Sequence, residues 1–170
     1  MPYHPAQWHV VIEGFKALIA EKKFDFEVIA GVAVGGVPHS AALGYTLGVP
    51  SVFVRKESKE HGKGQRIEGG VVAGKRVLLI EDMVTTGGSS LDAVQALRAA
   101  GAIVTDVCAI ISYGLPEAQT AFPAADVRLH TLTTFDAILL SADMMGKLNA
   151  EEANVVRLWM QNPRGWPPQP

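Results

Sequence analysis

One cysteine, Cys108, is all that 170 residues contain, which excludes an internal disulfide framework and any zinc site built on thiolates. No apolar stretch approaches the ~18–20 residues that span a bilayer. The start, Met1-Pro2-Tyr3-His4-Pro5, lacks the charged and then apolar regions of a signal peptide. His and carboxylate side chains do not recur at metal-ligand spacing, so no resident metal site is expected. Neither sign of charge dominates: 15 Lys+Arg face 17 Asp+Glu, for a net charge of −2. That balance speaks against a dedicated nucleic-acid binder, which is usually basic. These absences predict a protein of a reducing, cytoplasmic-type compartment with neither nucleic-acid nor membrane partners.

What is present is apolar and patterned. Hydrophobic residues make up 48% of the chain, enough for a packed core in one domain of this length. Trp8, Val11, Ile12, Phe15, Leu18 and Ile19 recur at helical spacing, predicting a helix over about 6–22. Val28 to Val34 reads as a buried strand ended by Gly35-Gly36. A helix over 38–47, a short strand at 51–54 and a long polar loop over 56–70 follow. Strands are predicted at 76–80, 107–111 and 127–132, with a helix between the first two that ends at Gly101. Two helices close the chain, at about 134–145 and 150–161, the second opened by a capping box of Asn149 and Glu152. Strand and helix in alternation predict an α/β fold, a mainly parallel twisted sheet flanked by helices on both faces. The domain is expected over 1–162, with the Pro-rich tail 163–170 frayed.

The segments rich in glycine or charge all follow strands, and so should gather at the carboxyl edge of the sheet. The run Val77-Leu78-Leu79-Ile80-Glu81-Asp82-Met83-Val84-Thr85-Thr86-Gly87-Gly88-Ser89-Ser90 brings two acids to a strand end and then a small-residue turn into a helix. Thr85, Thr86, Gly87, Gly88 and Ser89 can offer backbone N–H groups, hydroxyls and a helix N-terminus to one phosphate. Glu81 and Asp82 should point to opposite sides if the strand continues through them. The plain alternative, an acidic strand end beside an ordinary capped helix, explains the Thr-Thr-Gly-Gly-Ser run less well.

A second segment, residues 55–66, carries five Lys/Arg and two Glu. Its +3 leaves −5 on the rest of the chain, so the mild overall acidity hides one cationic loop. Gly62 and Gly64 would let it move over a polyanion, although charge runs are usually just solvated. A third, Gly31 to Pro38, is a tight turn in which Val34, Gly35 and Gly36 could present amides to a pyrophosphate or serve packing alone. His39 reads as a helix residue and Cys108 as core, and His130, Trp8, Trp159 and Trp166 carry no functional argument.

The 77–90 stretch resembles the phosphoribosyl-pyrophosphate (PRPP) motif of type I phosphoribosyltransferases. The resemblance implies that Glu81 and Asp82 meet the ribose hydroxyls and that the turn from Met83 and Val84 to Ser89 binds the 5′-phosphate. Arg55-Lys56-x-x-Lys59-x-His61-Gly62, followed by Ile67-Glu68-Gly69, resembles the catalytic loop of orotate phosphoribosyltransferases. By that likeness Lys56 serves its own subunit. Arg55, Lys59 and His61 reach into a neighbour's site, so a homodimer completed by loop 55–70 is implied, with Lys59, His61 and Asp82 as catalytic residues. Mg²⁺ would arrive chelated to the substrate's phosphates. Base contacts are implied at Thr85 and Tyr113, the latter standing where many members carry an arginine. Pro116-Glu117-Ala118 and Arg128-Leu129-His130 match shorter bacterial members. The resemblance covers about 8–162, whereas members carry a preceding segment that hoods the pyrimidine. Two other functions are therefore weighed: transfer to another base, and PRPP sensing without catalysis.

Overall fold

The computed structural model describes residues 3–56, 66–161 and 163–165. Helix α1 (Pro5–Lys22) starts on a proline, which donates no N–H and loses nothing there. It buries Ile12 and Phe15 and stops where Lys23 turns left-handed. Strand β1 (Val28–Val32) is buried at all five positions, as a strand covered on both faces must be. The chain then turns through residues 33–35 into α2 (Gly36–Leu47), which ends on left-handed Gly48. Next come β2 (Ser51–Val54), the two-residue β3 (Ile67–Glu68), β4 (Arg76–Val84) and α3 (Gly88–Ala99). The last elements are β5 (Ile103–Ser112), α4 (Pro116–Ala124), β6 (Arg128–Thr134), α5 (Phe135–Met144) and α6 (Ala150–Gln161).

The sheet runs β3-β2-β1-β4-β5-β6, with β3 antiparallel to β2 and every other pairing parallel. From β1 the chain steps one way to β2 and the other way to β4. The crevice of an open α/β sheet forms at such a reversal, here between the carboxyl ends of β1 and β4. Two cores flank the sheet. Val77 and Leu79 pack with Ala93, Val94 and Leu97 of α3 and with Phe122 of α4. Leu78 and Ile80 pack with Ile12 and Phe15 of α1, Leu43 of α2, and Cys108. Burial pushes the Cys108 thiol up to about 12, as befits an inert core side chain.

The expected elements form, and the stretch 56–70, expected to be loop throughout, holds β3, which pairs with β2; four further differences stand out. The strand expected to stop at Ile80 continues to Val84, because β5 keeps pairing with it at Glu81, Met83 and Val84. The acids therefore sit inside a strand. β1 ends at Val32, two residues early, where the chain turns toward α2. β5 begins at Ile103, paired with Arg76. α4 lies where no element is expected: Pro116 opens it and Pro123 lies in its last turn, and prolines so close together conceal a nine-residue helix. The capping box of α6 forms reciprocally, with Glu152 N–H to Asn149 Oδ1 at 2.9 Å and Asn149 N–H to Glu152 Oε2 at 2.8 Å.

At the amino end of the sheet, Asp106 ties β5 to β6. It accepts from Arg128 Nε and Nη2 at 2.8 and 2.7 Å and from Thr105 Oγ1 at 2.8 Å, and it meets His130 Nε2 at 2.8 Å. Burial alone would raise this carboxyl; the bonds from Arg128, His130 and Thr105 outweigh burial and hold it at about 2.

Candidate functional site

Three chain turns leave the adjacent carboxyl ends of β1, β2 and β4 and line one cleft of about 540 Å³. Its walls include Val34, Gly35, Arg55, Lys56, Arg66, Glu81, Asp82, Met83, Thr85, Gly88, Ser89 and Asp92. A larger hollow of about 690 Å³ runs along α3, but its wall is mostly Ala and Val, with Arg66 and Asp92 at one end. Volume alone would favour that hollow. The smaller cleft is the stronger candidate, because a helix N-terminus, acids and cations converge there.

The anion-binding turn is built by omission. Gly87 stands at the N-cap of α3 with φ 86°, no side chain caps the helix, and its first turn carries no acid. The free N–H groups of that turn and the positive end of the helix are left for a ligand. Gly87 is required twice over, since its backbone is left-handed and a Cβ there would fall 2.6 Å from the Phe122 ring. Thr85 and Ser89 are exposed beside the turn and Thr86 is half-buried, while Val84 points into the core.

The two acids part as strand alternation demands. Glu81 shares the face of Leu79 and turns to α3. It is 4% exposed, accepts from Ser90 Oγ at 3.1 Å, and lies 3.5 Å from Ser89 Oγ. Burial first, and Asp82 beside it, push its carboxyl up to about 8. Asp82 shares the face of Ile80, turns toward α2, and accepts the Met83 N–H at 2.8 Å. A Cβ on Gly35 would fall 2.1 Å from Asp82 Oδ2, and one on Gly36 2.3 Å from the Ile80 carbonyl oxygen. The Gly-Gly pair thus lets the β1 turn lie directly on the end of β4.

His39, expected to be an ordinary helix residue, has more specific surroundings. It is buried, accepts the Trp8 indole N–H at Nδ1 at 3.0 Å, and is held low by burial against the opposing charge of Asp82. Trp8, which carried no sequence argument, is therefore its partner.

The cationic segment enters and leaves the cleft as a closed ladder. Arg55 N–H donates to the Arg66 carbonyl at 2.8 Å, and Arg66 Nε returns a bond to the Arg55 carbonyl at 2.9 Å. Arg55 Nη1 lies 3.2 Å from Glu68 Oε1. The Arg66 guanidinium holds both oxygens of Asp92 on α3, with Nη1 to Oδ1 at 3.0 Å and Nη2 to Oδ2. That pair went unread in the sequence, where nothing marks Asp92 as facing back across the cleft. Lys56 is exposed at the rim. Lys59 and His61 lie outside the described residues.

Tyr113 is not among the cleft's lining residues. Its N–H reaches the Val84 carbonyl at 3.0 Å, so it is a near neighbour of Thr85. Its ring stacks on Phe135 with centroids 4.7 Å apart and meets Trp159 edge-on at 5.5 Å. The ring thereby joins β5, α5 and α6.

Comparison with known proteins gives a consistent answer. The model of the phosphoribosyl transferase domain matches residues 4–138. An orotate phosphoribosyltransferase of Coxiella burnetii is 38% identical over 165 residues, covering 97% of this chain and 79% of its own. The crystal structure of orotate phosphoribosyltransferase from Aeropyrum pernix matches with a TM-score of 0.76 at 26% identity, over 88% of this chain and 81% of that one. The Mycobacterium tuberculosis enzyme in complex with PRPP matches with a TM-score of 0.63 at 29% identity, over 74% of this chain and 72% of that one.

Proposed function

We propose, since the chain belongs to the phosphoribosyl transferase family and within it to the orotate phosphoribosyltransferases, that it transfers the phosphoribosyl group of PRPP to orotate. The products are orotidine 5′-monophosphate and pyrophosphate, a step of pyrimidine biosynthesis. The observation that carries this is one cleft holding an uncapped helix N-terminus, Asp82, and the Arg55–Lys56 entry to a cationic segment.

In the reaction the bond from ribose C1 to the pyrophosphate oxygen breaks and a bond from C1 to a base nitrogen forms. The ring passes through an oxocarbenium-like state, so positioning and charge stabilisation are the protein's tasks. The N–H groups and hydroxyls from Thr85 to Ser89 hold the 5′-phosphate. Asp82 accepts from the ribose hydroxyls, and its negative charge favours the cationic ring. The turn at Val34, Gly35 and Gly36 gives backbone amides to the pyrophosphate, whose leaving charge Arg55, Lys56, Lys59 and His61 take up. Thr85, on the cleft wall, is assigned to the base side, with Tyr113 next to it in the fold through its N–H to the Val84 carbonyl.

Among the described residues no group of three His, Cys, Asp or Glu could hold a metal. The acid pair Glu81 and Asp82 in the cleft wall fits Mg²⁺ brought by the substrate's own phosphates, where it would offset pyrophosphate charge. A cytoplasmic setting and a homodimer completed by segment 55–70 belong to the same proposal, supported by the loop's likeness to the family.

Pyrophosphate release with PRPP, Mg²⁺ and each base in turn tests it. Orotate-dependent release is expected; release with another base and none with orotate would reject it.

A further inference from the structure

The end of β2 and the helix that opens on the anion-binding turn meet through one side chain, Arg66. Its Nη1 donates to Asp92 Oδ1 at 3.0 Å and its Nη2 donates to Oδ2, the two-pronged geometry in which arginine fits a carboxylate best. Asp92 is the fifth residue of α3. It lies on the same helix face as Ser89, three residues earlier, and both line the cleft. Toward the sheet, Arg66 Nε donates to the Arg55 carbonyl at 2.9 Å, and the Arg66 carbonyl accepts the Arg55 N–H at 2.8 Å. That rung extends the β2–β3 ladder one step past Val54 and Ile67. Lys56, the exposed cation at the cleft rim, leaves directly from the carbonyl so held. The same two side chains line the end of the larger hollow along α3, so the pair stands between the two cavities.

An arginine in a polyanion cleft would ordinarily bind the polyanion directly. Here its surroundings favour another task. Three of its five N–H groups are already taken, and with Asp92 it forms a neutral unit. The bond from Arg66 first, and then, against burial, the charges of Arg66 and Lys56 keep the Asp92 carboxyl below its ordinary range.

We propose that Arg66 and Asp92 are positioning residues, a tie that fixes the end of β2, and with it Arg55 and Lys56, against the start of α3. This rests on the cleft's being a PRPP site. The tie matters as pyrophosphate departs, because charge stabilisation there depends on where the cations stand.

The sign of one substitution separates a tie from a direct contact. If Arg66 acted on pyrophosphate by its own charge, removing it would slow the reaction. Removing Asp92, its competitor, would then leave the rate unchanged or raise it. A tie is lost from either end. Steady-state kinetics with PRPP, Mg²⁺ and the base the parent accepts should show kcat lowered about tenfold in both Arg66→Met and Asp92→Ala, with KM for the base unchanged. Arg66→Met keeps an unbranched stem, and Asp92→Ala puts the best helix former into α3. The double variant should be no slower than Arg66→Met, since Asp92 then has nothing left to hold. Asp92→Glu, which restores a carboxylate, should recover most of the loss. Tm should move little throughout, because a pair this exposed contributes little to stability.

An Asp92→Ala enzyme at or above the parental kcat would overturn the tie and make Arg66 a substrate contact. So would a double variant slowed by the product of the two single effects, the mark of independent roles. Should Arg66→Met fail to fold, Asp92→Ala and its rescue by Asp92→Glu still decide the sign. The parent separates two failures. One that accepts another base in place of orotate rejects the assigned substrate and still decides the tie, while one that turns over PRPP with no base rejects both.

Discussion

A methyl group is the smallest side chain that can be added to a glycine, and at Gly87 it has nowhere to go. The backbone there is left-handed and the Phe122 ring fills the space. Gly87→Ala should lower stability by about 1–3 kcal/mol from backbone strain and overpacking, read as a drop in Tm. It should also weaken PRPP binding, because the cap geometry aims the first-turn N–H groups. A variant that lost stability but kept full PRPP affinity would separate the cap from the site. Glu81 gives a second test at this scale, on stability versus pH. Its folded value of about 8 lies above its ordinary 4.5, so the folded state holds a proton that the unfolded state releases. Stability should therefore fall as pH rises from about 4.5 to 8. Glu81→Gln removes the titration, so this variant should gain on the parent across that window, by on the order of 1 kcal/mol or more near pH 8. Equal pH dependence in urea unfolding of the two proteins would show that Glu81 ionises freely in the fold. That the acids diverge was legible in strand alternation. Which one is buried was not, because that depends on which face receives Ser89 and Ser90.

At the scale of elements, legibility followed periodicity. α1, β1 and the capping box of α6 were readable because apolar spacing and cap residues agree. α4 was not, since a helix framed by Pro116 and Pro123 looks like loop to any rule that treats proline as a breaker. The extension of β4 to Val84 was hidden for a different reason: pairing with β5, a tertiary fact, overrides the polar residues that seemed to end the strand. The Asp106 staple between β5 and β6 was equally invisible, its three partners lying one, 22 and 24 residues away. It predicts acid sensitivity. A carboxyl held at about 2, below its ordinary 3.8, adds stability that is complete above about pH 4 and fades as pH falls toward 2. The amount is on the order of 2 kcal/mol. Asp106→Asn should be less stable at neutral pH and show a flatter acid limb in thermal melts. A parent and variant that lose stability in parallel from pH 4 to 2 would show that the staple contributes no charge-dependent stability.

At the scale of the molecule, the sheet's reversal between β1 and β4 gathers what the sequence scatters. Gly35 after β1, Arg55 after β2 and Asp82 near the end of β4 share one cleft. The net charge of −2 concealed this, because Arg55, Lys56 and Arg66 meet Glu81, Asp82 and Asp92 at a single edge, where opposite charges cancel in the sum. One question belongs to this scale alone: whether Lys59 acts on its own cleft or on a second subunit's. Mixed dimers answer it. Asp82→Ala disables the cleft of its own subunit but leaves its loop intact, and Lys59→Ala does the reverse. Each variant alone should lose activity by orders of magnitude, since charge stabilisation at the leaving group and at the ribose are both needed. If the loop works in trans, a mixed dimer has one complete site: the cleft of the Lys59→Ala subunit served by the loop of the Asp82→Ala subunit. Co-expression at equal levels should then restore about a quarter of parental kcat per site, by random pairing about a two-fold axis. If the loop works in cis, no pairing assembles a complete site and the mixture stays as inactive as its components. Size-exclusion chromatography of the mixture gives the control, because a monomer elution would exclude the trans arrangement whatever the activity.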